Sequence, residues 1–84
     1  MEKTVLLVLV SDRKEVAIKV QKILTDWGCT IKTRLGIHDG VLDNCSNYGL
    51  MVLDIVGEKK KNEEMTRKLN LLDGVKAEMV ILTI

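Results

Sequence analysis

Four β-patterned runs and two amphipathic helical stretches, in the order βαββαβ, predict a small α+β domain. Three observations carry that expectation. Residues 3–10 (KTVLLVLV) and 48–56 (YGLMVLDIV) are apolar on both alternating faces, as strands covered on two sides are. The runs beginning at Thr30 and Val75 carry Lys32, Arg34, Lys76 and Glu78, as outer strands do. The two stretches between strands repeat at helical spacing. Each βαβ unit needs a right-handed crossover, which places both helices on one side of a four-stranded antiparallel sheet. The predicted architecture is a single ferredoxin-like sandwich over residues 1–84, with strand order 4-1-3-2.

The elements follow in order. After the first strand, Ser11 or Asp12 can cap a helix, with Glu15 completing a capping-box pattern. Val16, Val20, Ile23, Leu24 and Trp27 form its buried stripe, and Gly28 is placed to end it. In the second strand Ile31, Thr33, Leu35 and Ile37 share one face, and Lys32, Arg34, Gly36 and His38 the other. Residues 39–47 hold Gly40, Asp43, Asn44 and Asn47, all turn chemistry. In the third strand Gly49, Met51, Leu53 and Ile55 oppose Tyr48, Leu50, Val52, Asp54 and Val56. If the loop closes symmetrically without a bulge, His38 lies opposite Tyr48, Arg34 opposite Val52, and Lys32 opposite Asp54. That last pair would contribute ~0.2–1 kcal/mol.

Residues 57–62 read as a polar connection containing Lys59, Lys60 and Lys61. A helix over about 62–72 follows, with Asn62 as N-cap, Glu63 and Glu64 in the first turn, and Met65, Leu69 and Leu72 buried. Asp73-Gly74 stops it, at a position equivalent to Trp27-Gly28. In the last strand Ala77, Met79 and Ile81 oppose Lys76, Glu78, Val80 and Leu82.

Composition excludes several function classes. A formal net charge of +1 offers no electrostatic basis for binding nucleic acid directly or an anionic membrane. One Trp, one Tyr and no Phe are too few rings for a base-stacking platform. The apolar run of residues 5–10 is far short of the ~20 residues that cross a bilayer. It is also too short for a signal peptide, and Asp12, Arg13 and Lys14 follow where small residues belong. A cytoplasmic protein is expected. Cys29 and Cys45 fit neither a CxxC nor a zinc-ribbon spacing, so both are read as reduced, Cys29 as half-buried packing. Asn44-Cys45-Ser46 matches a glycosylation sequon only by chance without a secretory signal.

Two helices shield only one side of the sheet. The other would carry either Leu6, Val8 and Val10 or Val5, Leu7 and Leu9, together with Leu50, Val52, Val56, Val80 and Leu82. So large a patch exceeds the ~300–600 Å² that monomers usually expose, and self-association as a homodimer or dimer of dimers is expected.

Specific chemistry is sparse. Arg34, Gly36, His38 and Asp39 are candidates for a small-molecule rim, since Gly inside a strand admits close approach and Arg can grip a carboxylate. The plainer reading is that Gly36 makes room for a facing subunit and Arg34 fringes that interface; the two are compatible. His38, Asp39 and Cys45 have nickel or zinc chemistry, but one chain supplies few ligands, and a solvated histidine with a loop cysteine is preferred. Lys59, Lys60 and Lys61 are read as a solvated loop rather than an anion site. No GxSxG, P-loop, HExxH or paired-carboxylate arrangement occurs, so an enzyme is not expected, and the sequence leaves any cofactor unknown.

With RLGIHDG at 34–40, YGLMVLDIVG at 48–57 and LNLLDGVKAEMV at 69–80, the chain resembles the regulators of the iron-only hydrogenase system. These are stand-alone ferredoxin-like domains similar to ACT domains and to the C-terminal half of nickel-responsive repressors. The resemblance runs from about Val5 to Val80. It implies an oligomeric regulator sensing a small ligand or metal. The chain lacks the ribbon-helix-helix arm that reads DNA in nickel-type repressors, and the single His38 does not reproduce a multi-histidine nickel site. Acylphosphatases share the βαββαβ order, but SDRKE at 11–15 lacks the glycines of their phosphate cradle. A ligand-sensing module is therefore expected, with a ligand-free assembly module and a nickel- or zinc-binding domain as alternatives.

Overall fold

The computed structural model describes residues 1–11, 14–38 and 49–84. The elements are β1 (Glu2–Val10), α1 (Lys14–Asp26), a one-turn 3-10 helix (Gly28–Thr30), β2 (Ile31–His38), β3 (Gly49–Ile55), α2 (Lys59–Asn70) and β4 (Val75–Thr83). The strands form one antiparallel sheet in the order β2-β3-β1-β4. This is the expected 4-1-3-2 order read from the opposite edge, with the two doubly apolar strands at the centre.

One sheet face meets both helices. Leu6, Val8, Leu53 and Ala77 from the strands are buried with Val16, Val20 and Leu24 of α1 and Met65 and Leu69 of α2. Both helical stripes are therefore the ones their spacing indicates. Removal of these side chains from water is the main stabilising contribution, at about 25 cal/mol per Å² of apolar surface.

The ends of the helices differ from expectation. Gly28 does not take the left-handed conformation of a C-cap; among the described glycines only Gly57 (φ 93°) and Gly74 (φ 84°) have positive φ. The chain tightens into the 3-10 turn instead. There the Thr30 N–H and hydroxyl both donate to the Trp27 carbonyl at 3.0 Å, which satisfies an otherwise orphaned acceptor. Ser11 does not cap α1, because its Oγ has no hydrogen-bond partner. Its N–H instead donates to Gly74 O at 2.9 Å. Asp12 lies outside the described residues.

α2 begins at Lys59 rather than Asn62, so the three lysines form its first turn and not a loop. Asn62 is only 2% exposed, and its Nδ2 donates to Val56 O at 3.1 Å. It therefore anchors the helix to the end of β3 rather than capping it. The same first turn is held from the other side, where Trp27 Nε1 donates to Lys61 O at 3.2 Å and Lys68 Nζ stands 5.1 Å from the ring centre.

The largest departure is in β2. Ile31 pairs with Ile55 in the expected register, but Thr33 pairs with Asp54 and Arg34 with Leu53, with an irregularity between Ile31 and Thr33. Lys32 is thus the extra residue of a bulge, and every later residue of β2 is turned over. Leu35 now lies opposite Val52, Gly36 opposite Met51 and His38 opposite Gly49. The expected Lys32–Asp54 pair does not form; Lys3 Nζ meets Asp54 Oδ2 at 2.8 Å instead. Tyr48 lies outside the described residues.

The two sheet edges are treated differently. On β4 the Asn70 side chain acts as a surrogate strand: its Oδ1 accepts from Ala77 N at 2.7 Å and its Nδ2 donates to Ala77 O at 2.9 Å. Asn70→Ala is expected to cost ~1–3 kcal/mol by stranding both groups, a fall of at least several degrees in Tm. An unchanged melting curve would show that this edge does not depend on the amide.

Candidate functional site

A half-open cleft of about 290 Å³ lies between α1 and the β2–β3 edge of the sheet. It exists because the sandwich is lopsided. α2 sits over β4 and α1 packs beside α2, while β2 is exposed from Lys32 to Ile37. Val10, Val20 and Met51 give the cleft apolar walls. Ala17, one turn before Gln21 on α1, keeps the wall low because its side chain is short. Gly36 and Gly49 contribute no side chains to the β2–β3 lining.

The polar end is formed by Arg34 and Gln21. The bulge that turns β2 over brings Arg34 to the helix side, where its Nη2 donates to Gln21 Oε1. Among the described residues Arg34 makes no ion pair; its guanidinium rests on a neutral amide. Among the described residues no carboxylate lines the cleft. An unneutralised planar cation beside an apolar wall is suited to a small anion with an apolar body.

Two of the four candidate rim residues, Arg34 and Gly36, are brought together here. His38 is placed by its backbone at the end of β2, opposite Gly49. Asp39 and Cys45 lie outside the described residues. The rim was expected on the open sheet face, at a shared interface. With β2 inverted past Lys32, Arg34 and Gly36 lie on the helix side instead. Ala17, Gln21 and Met51 were missed as lining residues. The i, i+4 spacing of Ala17 and Gln21 beside the Val16–Val20 stripe was a legible sign of a second, shallower helix face. Among the described residues no three His, Cys, Asp or Glu side chains cluster as metal ligands. Cys29 is exposed rather than half-buried, in keeping with its place in the 3-10 turn.

The opposite sheet face is built from Leu35 and Ile37 of β2, Leu50 and Val52 of β3, Val5, Leu7 and Leu9 of β1, and Val80 and Leu82 of β4. Leu35 is 55% exposed, Ile37 47%, Leu9 44% and Leu82 62%. The β1 set on this face is Val5, Leu7 and Leu9, the first two half-buried by their neighbours, since Leu6, Val8 and Val10 are in the core. None of the described elements covers this face. Val56 is 46% exposed just beyond β3.

Charge elsewhere does not bear on either surface. Glu64 accepts two hydrogen bonds from Arg67 on α2, at 2.7 and 3.0 Å. Those bonds hold its carboxyl below the usual carboxylate value and raise Arg67 in turn. Such an exposed pair adds little to stability, and what it adds fades as pH falls through the lowered value. Among the described residues no helix is long and apolar enough to cross a membrane.

No protein-family model and no curated protein sequence matches the chain. Solved structures do match in shape. The uncharacterized protein TM1266 from Thermotoga maritima superposes with a TM-score of 0.82 at 21% identity, over 99% of this chain and 100% of that one. A functionally unknown protein from Pediococcus pentosaceus superposes with a TM-score of 0.54 at 12% identity, over 99% of this chain and 91% of that one. At these identities the likeness concerns the fold alone.

Proposed function

We propose that this chain is a non-enzymatic, cytoplasmic regulatory module that self-associates through its open sheet face and senses a small effector bound in the α1–β2 cleft. This is the behaviour implied by its resemblance to the regulators of the iron-only hydrogenase system and to ACT-like domains. The observation that carries it is the outward turn of Leu35 and Ile37 after the Lys32 bulge. Their addition makes one apolar block across β2, β3 and β1, where a water-facing antiparallel sheet ordinarily alternates with polar residues.

Charge favours a second copy over a foreign partner. The face carries Lys3 and Lys76 against Asp54 and Glu78, two of each sign. A balanced set can meet itself across a twofold axis, whereas a face built for an acidic or basic partner would carry one sign. Four strands of seven to nine residues give a face of roughly 25 by 19 Å, about 480 Å² in plan before side-chain relief is counted. That plan area lies within the ~300–600 Å² that monomers usually expose, smaller than the sequence predicts, and is modest beside the ~800 Å² per partner of a standard interface, so a micromolar homodimer is expected, with a dimer of dimers requiring further surface.

Size-exclusion chromatography with light scattering tests this directly. A mass of twice the 9.4 kDa chain at micromolar concentration is expected. A single-chain mass throughout that range would remove the self-association.

A further inference from the structure

We infer that the α1–β2 cleft takes a small aliphatic monocarboxylate lacking an ammonium group, such as a short branched-chain carboxylic or 2-oxo acid, held by Arg34 and Gln21 over Gly36. The inference rests on the effector reading above and names the chemistry of that site.

Gly36 is the first reason. Glycine within a strand costs roughly 0.5–1 kcal/mol relative to alanine and needs a local justification. Backbone conformation supplies none, because Gly36 does not have positive φ. Crowding supplies none either: a Cβ built there would meet nothing within 4 Å. The lone chain therefore keeps space at Gly36 that neither its conformation nor its packing requires. That space opens into the cleft. A copy stacked on the open sheet face cannot fill it, because Arg34 and Gly36 point to the other side.

The lining sets the class of occupant. At about 290 Å³ the cleft sits at the lower end of the ~300–1,000 Å³ typical of ligand sites, so the ligand is small. Val10, Val20 and Met51 favour an aliphatic body. Arg34 presents a planar fork suited to two carboxylate oxygens and among the described residues meets only the Gln21 side-chain oxygen. When a carboxylate takes the fork, Gln21 can turn its amide NH₂ toward the same anion. Phosphate fits poorly, because one guanidinium among apolar walls does not replace the hydration of a doubly charged group. A free amino acid also fits poorly, because among the described residues no carboxylate lines the cleft to receive its ammonium.

Calorimetric titration of the full chain with 3-methyl-2-oxobutanoate, isovalerate, valine and inorganic phosphate tests the assignment, with light scattering on the same samples. The oxo acid or isovalerate is expected to bind at least ~10-fold more tightly than valine, with phosphate inert. Arg34→Lys, which keeps the charge but loses the fork, should weaken binding ~10-fold or more without changing the melting curve. Gly36→Leu should abolish binding and leave the oligomer mass unchanged; Gly36→Ala, giving a graded loss, serves if the leucine variant does not fold. Binding of valine or phosphate in preference to the carboxylates overturns the inference, as does full retention of affinity in Arg34→Lys. A dimer that binds no carboxylate also overturns it while sparing the self-association. A carboxylate-binding monomer upholds it and removes the self-association instead.

Discussion

Replacing Leu53 with alanine is expected to destabilise the protein by about 3–5 kcal/mol, because the side chain is fully buried on a central strand. Leu53 lies opposite Leu6 on β1 and Arg34 on β2, at the level where the sheet meets the buried helical stripes. Two terms add: the lost transfer of the deleted atoms from water, and a cavity that a close-packed core refills only in part. At ~0.05–0.15 kcal/mol per residue, a domain of this length has roughly 4–13 kcal/mol in total. The variant should therefore lose a large share of its stability and melt at least ~12 °C lower. Leu71→Ala is the control, since Leu71 is 69% exposed and the same truncation there should change stability by less than ~0.5 kcal/mol. Both proteins must be compared at one concentration, because self-association adds to apparent stability. If the two variants melt alike, the core has been wrongly located.

Leu7→Lys should convert the self-associated form to monomer at concentrations where the parent chain remains paired. Leu7 sits in the middle of the open face, with Val52 on one side and Glu78 on the other. Two copies related by a twofold axis would each bury the new ammonium against the other's leucine and valine side chains. Even beside the carboxylate of Glu78, a desolvated ammonium is less favourable than the leucine it replaces by ~1–4 kcal/mol, and every 1.4 kcal/mol weakens association tenfold, so a loss of about 10-fold or more is expected. The folded monomer should tolerate the change better, since the lysine head can reach water when nothing covers the face. Leu35→Lys is the gentler companion, because Leu35 is already 55% exposed and lies on an edge strand. A wild-type-like mass for both variants would place any self-association on another surface.

The arrangement of the sandwich was legible in the amino-acid order. Val5 to Val10 and Leu50 to Leu53 are apolar in both alternating sets, whereas the runs from Thr30 and Val75 carry charges, and that contrast places the first pair at the centre of the sheet. The stripes through Val20 and Leu24, and through Met65 and Leu69, identify the buried sides of the helices. These features come from local periodicity, and burial of one apolar side leaves little choice among topologies.

Helix α2 shows where local rules gave way. Asn62 has the chemistry of an N-cap, yet α2 starts at Lys59 because a buried bond from Asn62 to Val56 and the Trp27 bond to Lys61 hold a further turn. Val56 lies six residues before Asn62 and Trp27 thirty-four before Lys61, both outside the three or four residues that a capping pattern spans. Gly28 likewise looked like Gly74, but the Thr30 contacts to Trp27 removed the need for a left-handed residue.

By itself the amino-acid order determined the fold class, the strand order, both buried helix stripes and the surplus of apolar surface on one sheet face. Tertiary structure alone decided the phase of β2. A single extra residue at Lys32 leaves the hydrophobic alternation intact while exchanging its two sides. Periodicity records that residues alternate but not which set points inward, because that depends on pairing with a partner strand. On that one exchange depend both the apolar Leu35 and Ile37 on the open face and the placement of Arg34 and Gly36 beside α1.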